Sequence, residues 1–103
     1  LNNRLQSLLK LLEKNPADDF LLYGVALEYL SLKDYLNSEE YFLKLIRTNP
    51  SYVPAYMQYA QLKAAQNKIE EAKNLYSQGI KIAKENGDKH AAKEMEEFLN
   101  ELE

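Results

Sequence analysis

The sequence predicts an all-α fold, an antiparallel stack of helix pairs with about six helices, and three observations predict it. Leu9-Lys10-Leu11-Leu12-Glu13-Lys14-Asn15-Pro16 recurs 34 residues later as Leu43-Lys44-Leu45-Ile46-Arg47-Thr48-Asn49-Pro50, and a fixed period of that size marks stacked repeats. Apolar residues recur at helical spacing along most of the 103 residues. Three glycines and three prolines are too few for a loop-rich fold.

Leu1, Leu5, Leu8, Leu9 and Leu12 form one apolar stripe, so residues 1–14 read as a helix that Pro16 stops by forcing Asn15 out of the α region. A second helix opens at Ala17 or Asp18 and runs to about Leu32, with Leu22, Val25, Ala26 and Tyr29 inward. Lys33-Asp34 is the turn, and Asp34 is the expected N-cap of a third helix carrying Tyr35, Ser38, Phe42, Leu45 and Ile46. Asn49-Pro50 closes it. Ser51 is the expected cap of a fourth helix, with Pro54 in its first turn, where a missing N–H costs nothing, and Tyr56, Tyr59 and Ala60 inward. Asn67 with Glu70 reads as a capping box for a fifth helix bearing Ile69, Ala72, Leu75, Tyr76, Gly79, Ile80 and Ala83. Asn86-Gly87 is the expected C-cap. Asp88 then caps a sixth helix with Ala91, Met95, Phe98, Leu99 and Leu102 on its apolar side.

The formal net charge is −3, with lysine and arginine interspersed among glutamates, so the basic footprint of a nucleic-acid binder is missing. No apolar run approaches the roughly 20 residues that span a bilayer, and no basic-then-apolar leader is visible. The chain starts at Leu1 rather than Met, which leaves room for a removed upstream segment; the compartment expected is the cytoplasm. Without cysteine there is no thiolate nucleophile, disulfide framework or zinc knuckle.

The inward residues resemble the tetratricopeptide repeat. From Asp19 they read Leu22, Val25, Ala26, Tyr29, Ser38, Phe42, Leu45, Pro50; from Val53 they read Tyr56, Tyr59, Ala60, Lys63, Ala72, Tyr76, Gly79, Lys84. The resemblance implies a right-handed superhelix of antiparallel pairs in one domain: residues 1–16 as a partial repeat, 19–52 and 53–86 as full repeats, 88–102 as a capping helix. Small residues in this pattern let two helices approach while aromatics fill the space beside them. Ala72 and Gly79 are therefore expected at the closest approach of the second repeat. Three departures carry expectations of their own. Leu45 stands where the family prefers a small residue and should splay or repack its pair. Lys63 replaces an aromatic, with its stem covering apolar surface and its ammonium reaching water. In the last helix the family frame would bury His90, Lys93, Glu94 and Glu97, so a one-residue shift that buries Ala91, Met95 and Phe98 is expected instead.

Little in the chain reads as catalysis. His90 and Glu94 lie four apart on one helical face, but one imidazole and one carboxylate do not complete a zinc site. Glu39-Glu40, Glu70-Glu71 and Glu96-Glu97 diverge by about 100° on a helix and cannot share a substrate. With no glycine-rich phosphate loop and no serine in a nucleophile setting, the expectation is a protein that is not an enzyme and needs no cofactor. Among the eight tyrosines, Tyr29, Tyr35, Tyr56, Tyr59 and Tyr76 fall on core positions, and Tyr23 does not.

In the family the first helix of each repeat lines a concave groove that takes peptides. The resemblance carries that role to Phe20, Tyr23, Gly24, Leu27, Leu30 and Ser31, and to Pro54, Met57, Gln58, Gln61 and Ala64, an apolar and nearly uncharged surface. Tyr23 and Leu27 stand where some relatives carry the Lys and Asn that grip a C-terminal carboxylate, so that mode is not expected. Gly24 is read as a notch between Tyr23 and Leu27. The expected partner is thus a protein or peptide segment, with no nucleic acid and no membrane insertion. A separate reading of Phe20 and Leu30 is that they merely seal against neighbouring helices. The alternative function is a homodimer or larger assembly that buries the groove against a second copy or a neighbour.

Overall fold

The computed structural model describes residues 3–103, which form six helices: α1 (Asn3–Lys14), α2 (Asp19–Ser31), α3 (Tyr35–Thr48), α4 (Val53–Ala65), α5 (Ile69–Glu85) and α6 (Lys89–Glu101). Leu1 of the predicted first stripe lies outside the described residues. The chain divides into two compact units, Leu1–Pro50 and Ser51–Glu103. No helix among the described residues is long and apolar enough to cross a membrane.

In the first unit α2 packs on both α1 and α3. Asp18 caps α2, its carboxylate accepting the Leu21 N–H at 3.0 Å, and Asp34 caps α3 by accepting the Asn37 N–H at 3.3 Å. Each cap satisfies a donor that the helix itself leaves orphaned. The core pairs Leu22, Val25 and Ala26 of α2 with Ser38, Phe42 and Leu45 of α3. The buried Ser38 hydroxyl donates to the Ala26 carbonyl at 2.8 Å, so a polar atom sits in the interface without being orphaned. Leu45 is wholly buried, its bulk held inside the pair. Tyr29 and Tyr35 are only half-buried and flank this core rather than forming it. Tyr29 stacks on Tyr41 with centroids 5.8 Å apart, and the Lys44 ammonium lies 4.9 Å from the Tyr41 centroid. Burial first, then Tyr41, Asp34 and Glu40, raise the Tyr29 hydroxyl above its ordinary pKa.

In the second unit α5 packs on α4 and α6. Val53, Ala60, Tyr76, Ala83, Ala92 and Met95 form its core, and Met57, Ile80, Phe98 and Leu99 pack against it. Tyr56 and Tyr76 are buried, and that burial raises both hydroxyls' pKa values. Gly79 is the tight point. A Cβ there would sit 2.8 Å from Tyr56 Cβ and 2.6 Å from Met95 Sδ, so α4 and α6 both press on the same glycine.

Two expected caps are corrected. Ser51 does not cap α4; Tyr52 holds that position with no side-chain bond, and Pro54 lies in the first turn with its φ already set. Asn67 does not open α5 either. It adopts φ +60°, as does Lys33 one period earlier, so both finish the preceding helix in the left-handed turn that asparagine tolerates better than most residues. Lys68, without a side-chain bond, precedes α5. The Asn86-Gly87 stop holds, with Gly87 at φ +75°, and the Asp88 carboxylate accepts the Ala91 N–H at 3.1 Å to start α6.

The shifted phase of α6 holds in part: Met95 is wholly buried and His90, Lys93 and Glu97 are exposed, while Glu94 is half-buried. Its seam is turned slightly from the expected one, burying Ala92 and leaving Ala91 and Phe98 half-buried at the edge. Phe98 stacks nearly parallel on Tyr76, centroids 5.8 Å apart. Lys63 departs from expectation. Its ammonium is sealed rather than solvated, 3.2 Å from Glu71 Oε1 and 5.6 Å from the Tyr59 ring centroid. A buried cation with a half-exposed partner gains little net stability over a well-packed apolar side chain.

Candidate partner-binding surface

α2 is apolar on two sides. Leu22, Val25 and Ala26 fill the core, and Phe20, Tyr23, Gly24 and Leu27 follow one another at helical spacing on another face. A helix apolar all round is buried or binds something, and here the second stripe is only partly covered. Phe20 is 69 % exposed, so it does not seal against a neighbouring helix within the chain. Tyr23, Leu27 and Leu30 are half-buried, and Ser31 at the end of the helix turns its hydroxyl to the Glu28 carbonyl at 2.8 Å.

Gly24 is not an open notch. A Cβ at Gly24 would meet the two δ-methyls of Leu8 at 3.4 and 3.5 Å, so α1 occupies that side. Arg4 Nε and Glu28 Oε1 also form an ion pair between these helices at 2.6 Å. The Leu8 distances are ordinary van der Waals contact. Gly24→Ala is therefore expected to stabilise the protein by about 0.5–1 kcal/mol through helix propensity, read from urea denaturation; a loss of stability would show that α1 packs closer to α2 than this geometry has it.

α4 repeats the arrangement with more polar residues. Met57, Gln58, Gln61 and Ala64 are all half-buried along one face and Pro54 is exposed, while Tyr56, Tyr59 and Ala60 point into the core. Met57 packs on the core of its unit and is in part structural. The helix is anchored for that role by the sealed Lys63 and the wholly buried Leu62.

The sequence pattern gave no warning of the exposed Leu11 and Leu36, 50 % and 80 % accessible. Leu36 borders a shallow depression with Glu39, Glu40, Leu43, Lys44 and Arg47, all on α3. His90, Lys93, Glu94 and Glu97 line a face of α6. Among the described residues no three histidine, aspartate or glutamate side chains converge as a metal site would require.

Residues 21–52 and 53–86 each match the tetratricopeptide repeat. A TPR repeat-containing protein of Pseudomonas aeruginosa is 28 % identical over 98 residues, covering 95 % of this chain and 93 % of that protein. Among solved structures, a tetratricopeptide repeat domain protein from Salinibacter ruber superposes with TM-score 0.81 at 28 % identity, over 85 % of this chain and 89 % of that one. The TPR2B domain of yeast Sti1, solved in its pHsp70 complex, superposes with TM-score 0.89 at 16 % identity, over 95 % of this chain and 78 % of that one, a likeness of fold.

Proposed function

Since the chain belongs to the tetratricopeptide repeat family, we propose that it is a protein-interaction module rather than an enzyme, binding a peptide or helical segment on the outward face of each repeat's first helix. The observation that carries this reading is the second apolar stripe of α2, which ends in an exposed Phe20. Exposed apolar residues in a cluster mark an interaction surface. Phe20, Tyr23 and Leu27 supply the apolar contact, and on α4 Gln58 and Gln61 supply amide donors and acceptors beside Met57. A ligand backbone or uncharged side chain suits that chemistry better than a carboxylate, because none of these positions carries a cation. The Sti1 domain, which shares the fold, supports the reading through the complex in which it was solved.

Phe20→Asp and Gln61→Glu test it, one in each unit. Phe20→Asp places an acid in the first turn of α2, where the helix dipole favours it, and removes little packing, so stability should stay within about 0.5 kcal/mol of wild type. Capture of partners from source-cell lysate, quantified against wild type, should fall at least about tenfold for the partner that uses this face. Undiminished capture by both folded variants sinks the reading. A stable dimer in light scattering that Phe20→Asp dissolves would favour the self-association alternative.

A further inference from the structure

Three turns between helices are built alike. The second residue after α2, α4 and α5 lies in the left-handed region: Lys33 at φ +60°, Asn67 at φ +60° and Gly87 at φ +75°. The next N–H then folds back on the ending helix, Asp34 donating to the Tyr29 carbonyl at 2.9 Å, Lys68 to Lys63 at 2.9 Å and Asp88 to Ala83 at 2.8 Å. These bonds satisfy carbonyls that helix ends leave orphaned. The residue ahead of the left-handed one is Leu32, Gln66 or Asn86, so the third turn alone sets an asparagine before a glycine.

That pair carries chemistry the other turns lack. Once deprotonated, the Gly87 nitrogen can attack Asn86 Cγ; the bond from Cγ to the carboxamide nitrogen breaks, ammonia leaves and a five-membered succinimide remains. Water then opens one of the two ring carbonyls, giving aspartate at position 86 or an isoaspartate whose main chain runs through the side-chain carbon. Glycine exposes the attacking nitrogen, having no Cβ to crowd it. Asn15 and Asn49 precede prolines, whose nitrogen has no proton to give up.

The folded turn holds the reaction closed. Ring closure needs the Gly87 nitrogen to eclipse Asn86 Cβ about the Cα–C bond, but at ψ −3° it eclipses the Asn86 nitrogen instead. The Gly87 N–H is also engaged, donated to the Lys84 carbonyl at 3.1 Å. The carboxamide is fixed separately, Asn86 Nδ2 donating to the Ser51 carbonyl at 3.2 Å. Steric cover plays no part: both residues are exposed, and a Cβ on Gly87 would meet nothing within 4 Å. Protection therefore lasts only as long as the turn.

We propose that Asn86 is a deamidation site gated by the α5–α6 turn, silent while α6 is docked on α5 and reactive toward water when it lifts. The product hinders redocking. A carboxylate at position 86 faces the Ser51 carbonyl acceptor to acceptor, and adds negative charge at the C-terminal end of α5, where the helix dipole disfavours it. Isoaspartate inserts a main-chain atom ahead of Asp88, displacing both the α6 cap and the N–H bonded to Ala83. Either product loosens the hold of Ala92 and Met95 in the core of the second unit.

Peptide mass mapping of the chain held in mildly alkaline buffer reads the exchange of amide for acid at each asparagine. Position 86 should react at least about tenfold more slowly in the folded chain than in guanidinium chloride, because opening must precede reaction. Met95→Ala, which loosens α6, and Asp88→Ala, which removes its cap, should each speed the reaction in buffer at least about threefold. Should Met95→Ala fail to fold, Asp88→Ala carries that comparison. Asn86→Gln should abolish the mass change at this position, since the longer side chain must close a less favourable six-membered ring. Aged wild-type chain, and Asn86→Asp as the pure aspartate form, should both show a lower urea midpoint than fresh protein. The proposal is overturned by equal rates in the folded and unfolded chain, by a reaction led by another asparagine, or by rates indifferent to Asp88→Ala. An aged chain as stable as the fresh one overturns the effect on redocking.

Discussion

Gly79→Leu should destabilise the protein by about 3 kcal/mol or more, and Gly79→Ala by about 1–2 kcal/mol, as overpacking of a closed interface does. The sign is the informative part, because alanine is the better helix former by about 1 kcal/mol and would stabilise an exposed position. At Gly79 the new Cβ meets two atoms of different compliance. Met95 Sδ, 2.6 Å away, belongs to a flexible side chain that can swing. Tyr56 Cβ, 2.8 Å away, is tied to the α4 backbone and yields only if the helix moves. Removing the methionine should thus relieve part of the strain. In a Met95→Ala background Gly79→Ala should cost less than in wild type but still more than nothing, a coupling that a double-mutant cycle by urea denaturation measures. Stabilisation by Gly79→Ala in wild type would mean that α4 and α5 are spaced more widely than described.

That contact also shows what the sequence could and could not reveal. The 34-residue period and the stripe spacing determined the number of helices, their ends to within about two residues, and most of the buried residues, because burial repeats with the helix turn. Gly79 was legible as the close approach for the same reason. Met95 as its second neighbour was not, since contact between α5 and α6 depends on the rotation of a helix whose pattern has slipped out of the repeat frame. The two misplaced caps fail for a local reason. Ser51 and Asn67 are good capping residues by type, but their positions fall outside the Ncap, and Asn67 is claimed by the left-handed turn that ends α4. Lys63 was misjudged because spacing identifies a core position without showing where the ammonium goes, and Glu71 lies one helix away.

For the candidate surface the balance is different. Residue spacing separates the outward stripe of α2 from its inward one, and the exposure of Phe20 agrees with that division. Spacing alone could not tell that Leu8 of α1 lies against Gly24, because that needs the crossing of two helices. Met57 shows the same limit: it lies on the outward face by register and still packs on the core by reach, as a long flexible side chain can. Leu11 is the opposite case, an apolar residue half exposed on α1 at the register where Leu45 of α3 is wholly buried.

Phe42→Ala should cost about 3–5 kcal/mol, the usual range for emptying a fully buried aromatic site. Phe42 has no exposed surface, and it stands between Ser38 and Leu45 on the face of α3 that meets α2. Neither neighbour can fill the gap at low cost: Ser38 is held by its bond to the Ala26 carbonyl, and Leu45 is already wholly enclosed. The cavity term therefore adds to the lost transfer energy. Against a total stability of about 5–15 kcal/mol for a small protein, that loss should appear as a large fall in the urea midpoint. Leu36→Ala is the matched control. It removes a comparable apolar side chain from the same helix at a position 80 % exposed and should change stability by no more than about 0.5 kcal/mol. Equal costs for the two substitutions would show that α3 is rotated from the register described.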